Sequence, residues 1–164
     1  MNYKQLKALD KVCNKKATPG TGQYSPTFWL DSCIATDSYA LVYVTGESIS
    51  ELCNGVEEPP RQVPNVLIDG FAATQEVKAD DVSVDVSFPV NPKTARQFVE
   101  MGADEKPECF DTKMMRKVLS VFDAFKIDPI MHCVEKDEGQ GFILLTGRNS
   151  DYEIKACIAG KRKR

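Results

Sequence analysis

Lys4-Gln5-Leu6-Lys7-Ala8-Leu9-Asp10-Lys11-Val12-Cys13, set above Lys113-Met114-Met115-Arg116-Lys117-Val118-Leu119-Ser120-Val121-Phe122, reads as two versions of one pattern. An α-helix turns about 100° per residue, so side chains three and four positions apart share a face. In the first stretch Leu6, Leu9, Val12 and Cys13 recur at that spacing, while Lys4, Lys7, Lys11 and Lys15 fall on the other side. In the second, Met114, Met115, Val118, Val121, Phe122 and Phe125 form the apolar face, opposed by Lys113, Arg116, Lys117 and Ser120. The spacing predicts amphipathic helices over 3–16 and 112–126. With Lys4 over Lys113, Leu6 meets Met115, Lys7 meets Arg116, Leu9 meets Val118, Val12 meets Val121 and Cys13 meets Phe122.

Outward from the helices, the same order of elements recurs. Thr18-Pro19-Gly20-Thr21-Gly22 is helix-breaking chemistry that stops the first helix. A strand follows near 24–31, and 33–44 reads as strand, tight turn, strand, with Asp37 and Ser38 supplying the turn. Behind the second helix, which Asp111 would cap, strands are expected at 130–135, 142–146 and 152–158, with turns at 137–141 and 147–151. In the middle, 48–54 suits a short helix and Glu57-Glu58-Pro59-Pro60 an irregular segment. Residues 66–69 and 82–88 read as strands, the latter with alternating polar and apolar residues. Residues 92–101 suit a short helix with Asn91 as cap and Pro92 at its first position. Internal duplication outranks local detail in deciding a fold. The expectation is one α+β domain over 1–164: repeat 1 about 1–56, a connecting segment 57–107 and repeat 2 about 108–164. Its two long helices would lie side by side on one face of curved antiparallel sheets, related by a pseudo-twofold axis.

Composition narrows the class. Hydrophobic residues make up 42% of 164, enough for a core, and no run of 18 apolar residues offers a membrane-spanning helix. The lysine-rich start lacks the continuous apolar stretch of a signal peptide, which implies a soluble, cytoplasmic protein. Cys13, Cys33, Cys53, Cys109, Cys133 and Cys157 are scattered, with no CxxC pair to cage a metal ion, and read as reduced, mostly buried thiols. The formal charge of −3 hides a division: residues 1–16 hold five Lys against Asp10, residues 46–111 hold fourteen acids against five bases, and residues 161–164 are all basic. Such asymmetry points to an anionic partner on one face, although lysines on amphipathic helices are in general simply solvated.

Enzyme readings find little support, and neither catalysis nor a cofactor is expected. His132 is the only histidine, and its neighbour Cys133 would point to the opposite face of the same strand, so the two cannot act as a dyad by adjacency. Gly20-Thr21-Gly22 lacks the Lys-Ser/Thr of a nucleotide-binding loop, and Glu57-Glu58 and Asp80-Asp81 read as solvated pairs.

Two basic-faced helices, each feeding a sheet within one duplicated unit, resemble the plan of a DNA sliding-clamp domain of the bacterial polymerase III beta-subunit type. Ala35-Thr36-Asp37-Ser38-Tyr39-Ala40-Leu41 is similar to that family's Ala-Thr-Asp-Gly-aromatic/His-Arg-Leu hairpin. Residues 110–122 resemble its phrase F-x-x-x-Y-L-x-D-x-L-x-x-F, and 152–158 its closing strand. The likeness covers both ends of the chain and only loosely the middle. It departs from the family in having one domain where a bacterial subunit has three, in reducing the strand before the first helix to Met1-Asn2, and in placing Ala40 where the family has Arg. The reduced size fits a phage or mobile-element version. The resemblance implies a processivity or tethering factor for DNA replication that holds duplex DNA non-specifically through Lys4, Lys7, Lys11, Lys15, Lys113, Arg116 and Lys117. It also implies a homo-oligomer, and a DNA polymerase or other clamp-binding peptide docked near the C-terminal strands, where the sheet offers Ile143, Leu145, Ile154 and Ile158, some of which period-two alternation sends to the core. The alternative is a clamp-fold protein-interaction module that does not encircle DNA.

Overall fold

A computed structural model describes residues 1–16, 25–29, 31–37, 39–55, 98–101, 108–134 and 142–159. Expectations for 57–97, for 161–164 and for the turn at 137–141 lie outside these residues. The first helix, α1 (Tyr3–Val12), starts where its backbone donors find partners. Asn2 accepts a hydrogen bond from the Gln5 amide at 3.0 Å, and Gln5 Oε1 accepts one from the Asn2 amide at 2.7 Å. This reciprocal box satisfies two donors that a helix start leaves orphaned. It also occupies the polar end of Gln5, which is why that side chain can be buried beside Ala8, Leu9 and Val12.

Two sequence expectations for α1 are corrected. The helix stops at Val12, where Cys13 turns extended with ψ 154°, so Lys15 and Lys16 follow the helix and are not part of its face. Leu6 does not belong to the buried stripe: it is 39% exposed, while Met115, its counterpart in the repeat, is 1% exposed. The stripe runs through Gln5, Ala8, Leu9 and Val12, and Leu6 sits about 100° from its centre.

After α1 come β1 (Thr27–Trp29), β2 (Ser32–Thr36) and β3 (Ala40–Thr45), then α2 (Glu47–Cys53). A two-stranded sheet of β4 (Phe98–Met101) and β5 (Glu108–Asp111) leads directly into α3 (Thr112–Phe125). The helix expected over 92–101 is therefore wrong for its last four residues. Phe98 and Val99 suit a strand, and antiparallel pairing of Phe98 with Asp111 through Met101 with Glu108 outweighs the local Asn-Pro helix signal. The strands β6 (Ile130–Val134), β7 (Phe142–Arg148) and β8 (Glu153–Ala159) complete the described elements.

Six strands form one antiparallel sheet in the order β1-β2-β3-β8-β7-β6. β3 and β8 join at its centre, from Ala40 opposite Ile158 to Thr45 opposite Glu153. Each of α1 and α3 is followed in the chain by three strands of this sheet. Alternation along the strands sends Cys33, Ala35, Val42, Val44, Ile143, Leu145, Ile154, Ala156 and Ile158 into one core with all three helices. Ile34, Leu41, Leu144 and Cys157 are buried on the opposite face, flanked by Trp29 and Tyr43.

The ends of elements are fixed by short polar contacts. The Asp37 carboxylate accepts from the amides of Tyr39 (2.9 Å) and Ala40 (3.0 Å), closing the β2–β3 turn as the sequence predicts. α3 ends with Lys126 in the left-handed region at φ 55°, while the Ile127 amide donates back to the Phe122 carbonyl at 3.1 Å. That is the helix-closing arrangement in which the residue after the last turn reverses hand.

Candidate nucleic-acid interface

The direction of the two long helices follows from one ion pair. Lys4, at the start of α1, lies with its ammonium 3.5 Å from the Asp123 carboxylate, near the end of α3. The helices are thus neighbours running antiparallel. Both bury one side in the core with the sheet, Leu9 and Val12 from α1, Val118, Val121 and Phe122 from α3.

The basic residues singled out in the sequence occupy the outer side. Lys4, Lys7, Lys11, Lys15, Lys113 and Arg116 are exposed and Lys117 is half-buried. At about 100° per residue, Lys4 and Lys11 lie only about 20° apart around α1, and Lys4 shows that this side faces α3. Lys7 is directed differently: its ammonium sits 5.8 Å from the centre of the Tyr3 ring, itself 78% exposed. Lys15 bonds to Asp10 across the end of the helix. Lys117 attracts the carboxylate of Asp37, whose pKa is raised by burial against the lowering effect of its two amide bonds and of Lys117.

Sequence reasoning missed four contributors. Lys16 and Lys126 add charge at the two helix ends, Asp123 places an acid on the outer side of α3, and Tyr3 is exposed beside Lys7. Lys126 was detectable as the cation directly after the last apolar position. Asp123 was detectable too, since it falls on the polar side of the helical repeat. In all, residues 1–16 and 112–126 carry nine Lys and Arg against two Asp, a balance of +7, in a chain whose total is −3. The rest of the sequence therefore balances to −10, and within it residues 161–164 are again all basic.

The apolar residues that the C-terminal sheet offers all face the core. Ile143, Leu145, Ile154 and Ile158 all point into the helix-side core and are at most 1% exposed, because all four share one alternation phase of their strands. They cannot line an outer groove. Cys13, Cys33, Cys53 and Cys157 are free and buried, and burial raises the thiols of Cys13 to about 11 and of Cys33 and Cys157 to about 12. Among the described residues no group of three His, Cys, Asp or Glu is placed to hold a metal ion, and no helix is long and apolar enough to cross a membrane. His132 lies in β6, opposite Leu144 in the register. No family model, no curated protein and no solved structure matches this chain.

Proposed function

We propose that this chain is a sliding-clamp-like domain that tethers duplex DNA without reading its sequence, through the outer side of α1 and α3. The observation that carries the reading is the separation of charge: nine cationic side chains against two acidic ones on the helix pair of a protein whose net charge is −3. An acidic protein gains nothing in solubility from gathering its cations on one face, whereas a polyanion gains an electrostatic footprint. The architecture adds support. Two helix-plus-three-strand runs, joined through their last strands in the order β1-β2-β3-β8-β7-β6, are what a duplicated clamp domain would give.

The chemistry suits holding without reading. Duplex DNA presents one negative charge per about 1.7 Å of axis. At about 1.5 Å rise per residue, helices of 10 and 14 residues extend about 15 and 21 Å, long enough to meet several phosphates. Exposed lysines contact phosphate as mobile point charges and carry no base specificity. A domain that slides needs that combination. Encirclement would further require a closed ring of about six such domains.

The test is fluorescence anisotropy with a labelled duplex at low salt. The wild-type chain binds duplexes of unrelated sequence alike, and the double substitution Lys7→Glu/Arg116→Glu, both at exposed positions, lowers affinity by about a hundredfold, since it reverses two charges facing phosphate. Retained binding in the double variant would refute the helix faces as the site.

A further inference from the structure

Tyr3, the first residue of α1, is the most exposed of the large apolar side chains described, at 78%, and Leu6, three positions on, is 39% exposed. At about 100° per residue, Tyr3 stands about 170° from the centre of the buried stripe of Gln5, Ala8, Leu9 and Val12. It is therefore on the crest of the helix and adds nothing to the core. Helix propensity does not account for it either, since an aromatic side chain is a poorer helix former than alanine or lysine.

The position of Tyr3 is nevertheless fixed. The Asn2–Gln5 box closes across it with bonds of 2.7 and 3.0 Å, and the Leu6 amide donates to the Asn2 carbonyl at 3.1 Å. The Lys7 ammonium sits 5.8 Å from the centre of the ring. Around the helix, Lys7 and Lys11 lie about 40° and 80° from Tyr3 on the side of Lys4, and both are exposed. Asp10 lies about 20° from Tyr3, two turns on, and its carboxylate is engaged with Lys15.

An exposed ring held rigidly beside ammonium groups suits a ligand that is both flat and anionic. A nucleotide with its base out of the helix stack has both properties, whereas bases inside a duplex are already stacked on their neighbours. We infer that Tyr3 is a stacking platform for an unpaired base, with Lys7 and Lys11 on the same side of α1 for the phosphates of that strand. The domain thus takes single-stranded DNA running on from the duplex, an inference that rests on the DNA-tethering reading and adds a second form of the ligand. Stacking on an aromatic ring tolerates every base, so the addition keeps the surface non-specific. It also adds affinity without neutralising a phosphate, so this part of the binding does not weaken with salt as the lysine contacts do.

The experiment uses the full chain and two labelled probes: a blunt duplex, and the same duplex with a single-stranded oligothymidine extension. Anisotropy is measured over a salt series, and circular dichroism verifies the fold of each variant. The wild-type chain is expected to bind the extended probe at least about fivefold more tightly than the blunt one, the lower end of what stacking one base contributes. Tyr3→Ala removes that advantage, leaves the slope of log Kobs against log salt unchanged and alters blunt-duplex affinity by less than about twofold. Tyr3→Phe, which keeps the ring, retains the advantage. Equal wild-type affinity for the two probes, or an equal loss on both in Tyr3→Ala, would overturn the platform while leaving duplex tethering intact. Loss of the advantage in Tyr3→Phe would also overturn it, by assigning the effect to the hydroxyl. Binding of the extended probe alone, sensitive to Tyr3→Ala, would support the platform and overturn duplex tethering. Binding of neither probe at the lowest salt would overturn both, leaving Tyr3 and Leu6 to a protein partner.

Discussion

A single carboxylate shows how local chemistry and global burial pull against each other here. Asp37 closes the β2–β3 turn by accepting from two backbone amides, which favours its ionised form, yet burial dominates and lifts its pKa above the ordinary 3.8. An acid whose folded pKa is raised binds its proton more tightly in the native state than in the unfolded one. Its contribution to stability is fully present at acid pH, where both states are protonated, and declines as pH climbs from the unfolded value through the folded one. Asp37→Asn keeps the side-chain oxygen that caps the turn and removes the charge. Its urea midpoint is expected to match the wild type in acid and to exceed it near neutrality. Asp37→Ala loses the acceptor and is expected to be less stable at every pH, by about 1–2 kcal/mol. A midpoint for Asp37→Asn that stays below wild type at neutral pH would mean that the charge, through Lys117, stabilises the turn. Burial also explains why residue-level reading failed at Leu6 and succeeded at Leu9: Gln5, with its side-chain oxygen bonded to the Asn2 amide, takes the buried position that a hydropathy pattern assigns to leucine.

At the scale of elements, the features written in short-range periodicity were legible and those set by distant partners were not. Both amphipathic helices, the strand-turn-strand over 32–45 and the strands β6 to β8 follow from spacing and turn residues that lie next to each other in the chain. The strand β4 does not, because its conformation depends on pairing with β5, and Asn91-Pro92 nearby signals a helix start. Of the seven basic residues singled out, the six on α1 and α3 follow from helical spacing, whereas Lys15 lies beyond the end of α1. The Lys4–Asp123 pair was not legible, since packing of α1 against α3 brings together residues more than a hundred positions apart. How tightly elements lock is testable at Gly147 in β7. A β-carbon there would stand 2.5 Å from Ile127 Cγ2 and 2.8 Å from the Asp128 carbonyl oxygen, in the segment that leaves α3. The carbonyl belongs to backbone held by the helix-closing bond of Ile127 and cannot swing aside. Gly147→Ala should therefore destabilise the protein by about 1–3 kcal/mol, read from chemical denaturation. A loss below about 0.5 kcal/mol would mean that α3 and the sheet are joined more loosely than this contact implies.

At the scale of the whole molecule, a protein of net charge −3 carries nine Lys and Arg against two Asp within residues 1–16 and 112–126, the stretches that hold the two long helices packed on an antiparallel sheet. In the proposed reading the fold would supply rigidity and position, and the exposed lysines affinity without specificity. Such a surface makes a quantitative demand: binding should be driven by release of counterions from the duplex, so its dependence on salt counts the phosphates engaged. The direct measurement is the equilibrium constant of the wild-type chain for two duplexes of equal length and unrelated sequence across a salt series. Two coincident lines of log Kobs against log salt are expected, falling with a slope of about −3.6 to −4.5, as roughly four to five phosphate contacts give. Lines separated by sequence, or no binding to either duplex at the lowest salt, would contradict the DNA-tethering reading.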